Sequence, residues 1–557
     1  MTLIQKSDQW PRRPYKGLSY YGPDDVLLFA GRDVDVTRCA MITAQPGTRV
    51  TILHGGTGCG KSSFLRAGLI PYLESRGRGF RFLKNDESRA IFIRSTATPL
   101  ANLGEEMIRF AARERHIETP DGETQIVTIP LEATWRHSRN PAQDQVRALS
   151  RIAAAVSETL VVVIDQAEEV LTLNAGQEGL ANRNDFFNFI AEFSRSSFDL
   201  KLLIAIRTEY YGRYRHAIQE AGGDMGAIAE FFLDDLSDSE LVDAILRPTL
   251  EEDVAGMGSP RERYGFVFED GLPQRIVKDL RKANLTGGIL PVTQIICDAL
   301  YDKLDAFAIP TRVIRAADYE ELGTLEDQVE RHLEQVLAVW CRQNSVRVSV
   351  ETDAWKNILA DLARAQVDGT VTTELVPAAE LETVAEKERT RLPFSLTMDY
   401  LENEAQRIVR RVNVMTPASE EPVVCYSLGH DVLGLPLLSW RRDASRFDML
   451  VLMARSLIFI YALVFLVPFV IDLLKWKFGS GPAPLHWEAV FQILPGVLLA
   501  VMAFVVKRHD LERPLLMYAR ALWPLLPVPM KSNLMKNRRF MRMMKRNGPL
   551  WWRPPLP

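Results

Sequence analysis

Residues 55–62, which read GGTGCGKS, constrain the fold of this chain more than any other stretch. A glycine, four further residues and then Gly-Lys-Ser form a loop whose backbone N–H groups surround phosphate oxygens. The apolar run RVTILH (residues 49–54) precedes it and a helical pattern follows, which is the strand–loop–helix context that such a loop requires. The sequence therefore predicts a nucleotide site on an α/β P-loop fold.

The residues of this loop have separate expected roles. Lys61 is expected to reach the β- and γ-phosphates, Ser62 to ligate Mg²⁺, and the helix dipole to favour the negative charge. ATP or ADP with Mg²⁺ is the cofactor set that this pattern implies. The predicted nucleotide-binding residues of the loop are Gly55, Gly56, Thr57, Gly58, Cys59, Gly60, Lys61, Ser62 and Ser63.

Apolar, β-branched runs recur along the first part of the chain and alternate with amphipathic stretches. They lie at residues 90–94, 159–165 and 200–207. Runs that are apolar on both faces and separated by helical patterns are typical of a parallel sheet with crossover helices.

Charged residues follow two of these predicted strands. Asp165 ends VVVID, where a second Mg²⁺ ligand is expected, and Arg207 ends the next strand, where it would face the γ-phosphate. One of Glu168 and Glu169 would orient the attacking water. The alternatives are that these acids begin a helix and that Arg207 pairs with Glu209 at the surface.

Length and charge indicate several parts with different partners. A chain of 557 residues predicts three to four domains, and five scattered cysteines argue against disulfides and zinc and fit a reducing cytosol. The net charge is −4, yet residues 507–557 carry +10, from twelve Lys and Arg against two acids, so the rest carries −14. The basic tail predicts an anionic partner, with membrane lipid favoured over nucleic acid.

Two apolar runs, residues 456–474 and 487–506, are long enough to cross a bilayer, since about 20 helical residues span roughly 30 Å. Basic residues flank the pair, whereas the connector has two lysines. The prediction is a hairpin of two transmembrane helices in the cell (inner) membrane, with both termini cytoplasmic. The alternative is a pair of buried helices in a soluble domain.

Eight segments in order resemble the novel STAND NTPases, relatives of the NACHT and apoptotic ATPases. They read PYKGL, FAGRDVD, GKSSFLRAGLIPYL, RSTATPLANL, VVVIDQAEEVL, LIAIRTEYYGRY, GGILPVTQ and YSLGHDVLGLPLLSW, and cover about residues 14–446. The resemblance implies a P-loop core, an α-helical domain and a winged-helix domain. The predicted boundaries are a lead-in at 1–47, the core at 48–230, the helical domain at 231–310, the winged helix at 311–446, the hairpin at 447–506 and the tail at 507–557.

The same resemblance implies roles for single residues. The segment with Phe29, Gly31 and Arg32 would hold adenine, and Pro291 would pack against it. Arg207 is similar to a sensor arginine, and His430 to a winged-helix histidine that touches the β-phosphate of ADP in a closed form.

The implied function is a slow ATP hydrolase that acts as a membrane-anchored switch. ADP keeps it closed, and ATP together with an unidentified trigger or sensor protein opens it to a homo-oligomer. The process would be signalling or bacterial anti-phage defence, with the hairpin as membrane-disrupting effector or as anchor. The alternatives are a continuously cycling membrane ATPase and a nucleotide-gated scaffold that recruits separate partners.

Overall fold

The computed structural model describes residues 10–442 with short gaps, and Leu474. The gaps are 76, 84–91, 95–98, 114, 119–123, 134, 136–137, 157, 173–176, 255, 284–287, 305–311, 367–370, 404–405 and 415–422.

The first part of the chain alternates strands and helices, as predicted. Its elements are α1 (Asp33–Ala44), β1 (Val50–Gly55), α2 (Lys61–Ser63), α3 (Ile70–Leu73), β2 (Phe80–Phe82), β3 (Phe92–Arg94), α4 (Pro99–Ala112), β4 (Arg115–Glu118), β5 (Thr124–Val127), α5 (Pro141–Val156), β6 (Thr159–Asp165), α6 (Glu169–Thr172), α7 (Gln177–Arg195), β7 (Leu200–Arg207), α8 (Thr208–Glu220) and β8 (Ile228–Phe232).

Six of these strands form one parallel sheet. Five of them follow the order β2-β6-β7-β1-β8, and the sixth, β3, pairs with the later residues of β6, whereas β2 pairs with the earlier ones. Gly55 at the end of β1 lies beside Arg207 at the end of β7. Asp165 ends β6, the strand on the other side of β7. Because parallel strands end at one edge of a sheet, these three residues converge on a single site.

The sheet is buried on both faces, which explains the apolar runs. Val162 and Ile164 face one core, whereas Val161 and Val163 face the other. Successive side chains of a strand point to opposite faces, so a strand covered on both sides has no polar alternation. The parallel α/β fold was therefore correctly predicted from these runs.

A mainly helical segment follows. Its elements are α9 (Asp238–Leu246), α10 (Pro260–Tyr264), β9 (Phe266–Phe268), α11 (Leu272–Lys282), α12 (Ile289–Asp302), β10 (Arg312–Ile314), α13 (Ala316–Glu320), α14 (Leu325–Gln343) and α15 (Val348–Ala360). The capping box predicted at the start of α9 is present: the Ser237 side chain accepts from the Glu240 N–H, and the Glu240 carboxylate accepts from the Ser237 N–H.

The remaining elements are β11 (Ala363–Ala365), β12 (Val371–Thr373), β13 (Val376–Pro377), α16 (Ala378–Glu388), α17 (Phe394–Glu402), β14 (Val409–Val414) and β15 (Val423–Leu428). The strands β13-β15-β14 form an antiparallel sheet, here called the small-sheet region with its helices (residues 376–433). The winged helix and the domain boundaries stay predictions, although helices and a small sheet do occupy this region.

The described residues up to Leu437 form one compact unit. Within the described part of the chain, no helix has the length and apolar character needed to cross a membrane. The predicted spans at 456–474 and 487–506 lie outside the described residues, apart from Leu474, as does the basic tail.

Candidate functional site

The P-loop leaves β1 and leads into the helix that starts at Lys61. Gly58 and Gly60 adopt left-handed φ angles of 79° and 92°, which glycine adopts without strain. The ammonium of Lys61 donates to the carbonyls of Gly55 and Gly56, at 2.9 Å in each case. The lysine therefore closes the loop on itself, and a phosphate would replace these carbonyls as its partner.

The two predicted Mg²⁺ ligands are in direct contact. Ser62 Oγ donates to Asp165 Oδ2 at 2.9 Å, and Asp165 Oδ1 accepts the N–H of Gln166 at 3.0 Å. A hydroxyl and a buried carboxylate from adjacent elements are oxygen ligands of the kind that Mg²⁺ prefers beside phosphates. The residues present thus fit the ion, which would neutralise phosphate charge.

Glu168 lies against Arg207, with its Oε1 3.3 Å from the arginine Nε. Burial raises the pKa of Glu168, and the guanidinium of Arg207 opposes that rise. The structure therefore places the predicted sensor arginine with Glu168, whereas the alternative partner, Glu209, is exposed. Both Glu168 and Arg207 line the central cavity.

Glu169 is oriented differently from Glu168. It begins α6, as one alternative predicted, and its carboxylate lies 3.5 Å from Nη1 of Arg410 on β14. The pair joins the core to the small-sheet region across 241 positions of sequence. Of the two acids, Glu168 is thus the one that lines the cavity.

The cavity above the loop has an empty volume of about 1520 Å³, including the part open to solvent. Many of the predicted residues line it: Phe29, Arg32, Thr57, Gly58, Cys59, Gly60, Lys61, Ser62, Ser63, Asp165, Glu168, Arg207, Pro291 and His430. Gly31, Gly55, Gly56 and Glu169 are not among the lining residues that the structure describes.

The segment predicted to hold adenine also supports the P-loop. Arg32 is buried, and its Nη2 donates to the carbonyls of Cys59 at 3.0 Å and Asp234 at 2.7 Å. Gly31 has a φ of 81°, and a Cβ there would lie 2.7 Å from the Glu240 carbonyl. The side chain of Arg32 thus holds the loop backbone in place.

The start of α12 packs on the phosphate loop. A Cβ at Gly288 would lie 2.9 Å from the Thr57 carbonyl, and one at Gly60 would lie 3.1 Å from Cδ1 of Leu290. Pro291 comes next and lines the cavity. The helical segment therefore supplies one side of the site, next to the loop.

His430 also lines the cavity and lies two residues after the end of β15. Its Nε2 lies 3.1 Å from the carbonyl of Leu18 and donates to it. Burial, reinforced by Arg407, lowers the pKa of His430 to about 3, so the ring is neutral at pH 7. The contact with a β-phosphate stays a prediction, because the N–H that would make it is bonded to Leu18 here.

Sequence reasoning missed the role of the lead-in at the cavity. The Tyr20 ring makes cation–π contacts with the guanidinium of Arg66, 4.1 Å from the ring centroid, and with that of Arg407, at 4.9 Å. The hydroxyl of Tyr21 donates to Gln294 at 3.0 Å. These two residues lie between the family-like segments PYKGL and FAGRDVD, and no periodicity or spacing indicates such distant partners.

Comparison with known protein families gives a match over most of the chain. The family model for Novel STAND NTPase 1 matches residues 14–433. No curated protein matches the chain significantly.

Among solved structures, Aeropyrum Pernix ORC2 in ADPNP-ADP complexes has 12% identity and a TM-score of 0.36, over 75% of this chain and 94% of that one. Drosophila ORC bound to DNA has 11% identity and a TM-score of 0.30, and the match covers 79% of this chain and 96% of that one. The phosphate loop, the adjacent Ser62–Asp165 pair and the family match agree, and the chain belongs to the Novel STAND NTPase 1 family of nucleoside-triphosphate-hydrolysing P-loop enzymes.

Proposed function

We propose that this NTPase is an ATP/ADP switch whose closed form is held across the nucleotide cavity. The observation that carries the proposal is that the core and the small-sheet region line the same cavity. His430 bonds to Leu18, and Arg410 pairs with Glu169. A nucleotide in this cavity touches both sides, so its exchange is coupled to their separation.

The energy of the nucleotide alone is too small to operate such a switch. Moving an equilibrium from 1:99 to 99:1 requires about 5.5 kcal/mol of differential binding. One hydrogen bond to a charged group contributes about 1.5–3 kcal/mol. A trigger molecule or sensor protein is therefore part of the proposal.

Hydrolysis itself uses the core side of the cavity. Lys61 binds the phosphates and Arg207 faces the γ-phosphate, while Glu168 lies within reach of the attacking water. Mg²⁺, held by Ser62 and Asp165, would supply further neutralisation of the phosphate charge. The proposed catalytic residues are therefore Lys61, Asp165, Glu168 and Arg207. Glu169 instead forms the ion pair that joins the core to Arg410.

The proposal extends to the membrane and to assembly. The two apolar runs and the +10 tail support a hairpin in the inner membrane with lipid as partner. Opening would allow homo-oligomers, and clustered hairpins would disrupt the membrane in signalling or defence, or anchor the switch. Deleting residues 456–506 separates these two roles, because a triggered response that survives the deletion excludes the hairpin as effector.

The first experiment is the particle mass of the purified full-length protein together with the identity of its retained nucleotide. A monomer that retains ADP and turns over slowly is the expected result. A ring with steady hydrolysis would contradict the switch and favour a cycling machine. A pull-down that finds no stoichiometric partner before or after triggering would count against the scaffold.

A further inference from the structure

Gln166, directly after Asp165, has an unfavourable backbone conformation. Its φ is 57°, in the left-handed region that glycine adopts freely and that other residues adopt with strain. Strain of this kind persists only where the surrounding structure imposes it, and it is concentrated at functional sites.

Two hydrogen bonds impose this conformation. The N–H of Gln166 donates to Asp165 Oδ1 at 3.0 Å, and the N–H of Ala167 donates to the Ala205 carbonyl on β7 at 2.9 Å. These bonds hold the turn that brings Asp165 to Ser62. A glycine at position 166 would make the same two bonds without strain, so the backbone alone gives no reason for glutamine.

The side chain of Gln166 has a second unfavourable feature. Its Oε1 is buried and has no hydrogen-bond partner among the residues that the structure describes. Buried amide oxygens in proteins are normally bonded, and an unpaired one reduces stability. Gln166 also lines the nucleotide cavity, between Asp165 and Glu168 along the chain. Both the strain and the unpaired oxygen are explained if the amide has its partner only in the nucleotide-bound state.

We propose that Gln166 is a catalytic residue whose amide contacts the attacking water and aligns it with the γ-phosphate. The water oxygen forms the new bond to the γ-phosphorus, the bond to the β,γ-bridging oxygen breaks, and ADP leaves. One proton of the water remains on the oxygen now bonded to the γ-phosphorus, the other passes to a phosphate oxygen of the product, and the amide only accepts a hydrogen bond. This inference concerns the hydrolysis that the family membership establishes, and it does not depend on the proposed switch.

Gln166→Gly separates the side chain from the backbone. Removing the strain should raise the midpoint of thermal unfolding by about 2 °C, while the loss of the amide lowers the single-turnover rate of ATP hydrolysis about 10²-fold. The affinity for ATP should stay within about threefold, because the phosphate contacts remain. A variant that is more stable, binds ATP and hydrolyses it slowly is the expected result.

Arg389 provides the matched control. It also has a φ of 57°, but it is exposed at the end of α16 and does not line the cavity. Arg389→Gly should raise the unfolding midpoint by a similar amount and leave hydrolysis unchanged. A gain in stability that is common to both variants, with a loss of rate confined to position 166, assigns the loss to the amide.

Two further variants test the geometry. Asn tolerates the left-handed region better than most residues but is shorter, so Gln166→Asn should stay slow. Gln166→Glu keeps the length and an acceptor oxygen and should recover part of the rate. A wild-type rate in Gln166→Gly would overturn the proposal, as would an equal loss of rate and ATP affinity in all three variants. Particle mass, which tests the switch, should not change.

Discussion

The two sides of the nucleotide cavity are held together in different ways. On the core side, Gly55, Asp165 and Arg207 end neighbouring strands of one sheet whose two faces are buried. On the other side, polar contacts such as those of His430 and Arg410, together with a cation–π contact, join the small-sheet region to the lead-in and the core. A packed sheet resists opening, whereas a few polar contacts can be exchanged for water or nucleotide at small cost. Under the proposed switch, we therefore expect the small-sheet side, rather than the sheet of the core, to move.

The largest effect is expected on the core side. Lys61→Ala removes the ammonium that now bonds two loop carbonyls and should weaken ATP and ADP binding by about 10–100-fold, since a hydrogen bond to a charged group contributes about 1.5–3 kcal/mol. Calorimetric titration measures the affinities for ATP and ADP. Lys278→Ala, at an exposed position of α11, is the control. Unchanged affinity in Lys61→Ala would mean that the loop does not bind the nucleotide.

An intermediate effect is expected for the ion pair across the cavity. Arg410→Ala leaves the buried Glu169 without this cation and should weaken the closed form by about 2 kcal/mol, less than for a fully buried pair because Arg410 is partly exposed. The release of a fluorescent ADP analogue should become about 30-fold faster.

The control for this prediction is Arg411→Ala, on the same strand, which removes an exposed cation that pairs with Asp399 instead. The double variant Glu169→Arg with Arg410→Glu should restore slow release. Equal rates in all of these variants would mean that the pair does not hold the cavity closed.

The smallest effect is a pH dependence from His430. Its folded pKa of about 3 is below the ordinary value near 6.5, so a state that exposes the ring binds more protons between these values. The closed form is thus fully stable above about pH 6.5 and loses stability as the pH falls, by about 1 kcal/mol between pH 7 and pH 5.5.

Nucleotide release measured against pH checks this prediction, and His430→Gln should flatten the profile. His332 is the control, because burial also lowers its pKa, to about 4. Arg407 and Arg207 also disfavour the charged ring. A profile that is unchanged in His430→Gln but flattened in His332→Gln would show that the pH dependence comes from His332 and would contradict the prediction.

Much of the core side was predictable because its signals are local. The phosphate loop is a contiguous motif, and each strand end is marked by an apolar run followed by a charge. Strands β6 and β7 have the predicted bounds, and β1 is shifted by one residue. Short strands such as β2 and β8 were missed, because three to five residues at the edge of a sheet carry too little pattern.

The partners across the cavity were not predictable by the same reasoning. Glu168 and Glu169 are adjacent and chemically identical, yet one pairs with Arg207 on the next strand and the other with Arg410. Nothing in the local sequence distinguishes them, because the direction of each side chain depends on the turn after β6. Similarly, the strain at Gln166 depends on bonds to Asp165 and to β7.

The sequence by itself determined the phosphate loop, the parallel sheet and the family, because these depend on residues that are close in the chain. Only the tertiary structure decided which acid lines the cavity, that His430 bonds to Leu18 across 412 positions, and that Gln166 is strained. Such contacts join segments that meet only after folding, so no spacing or periodicity encodes them.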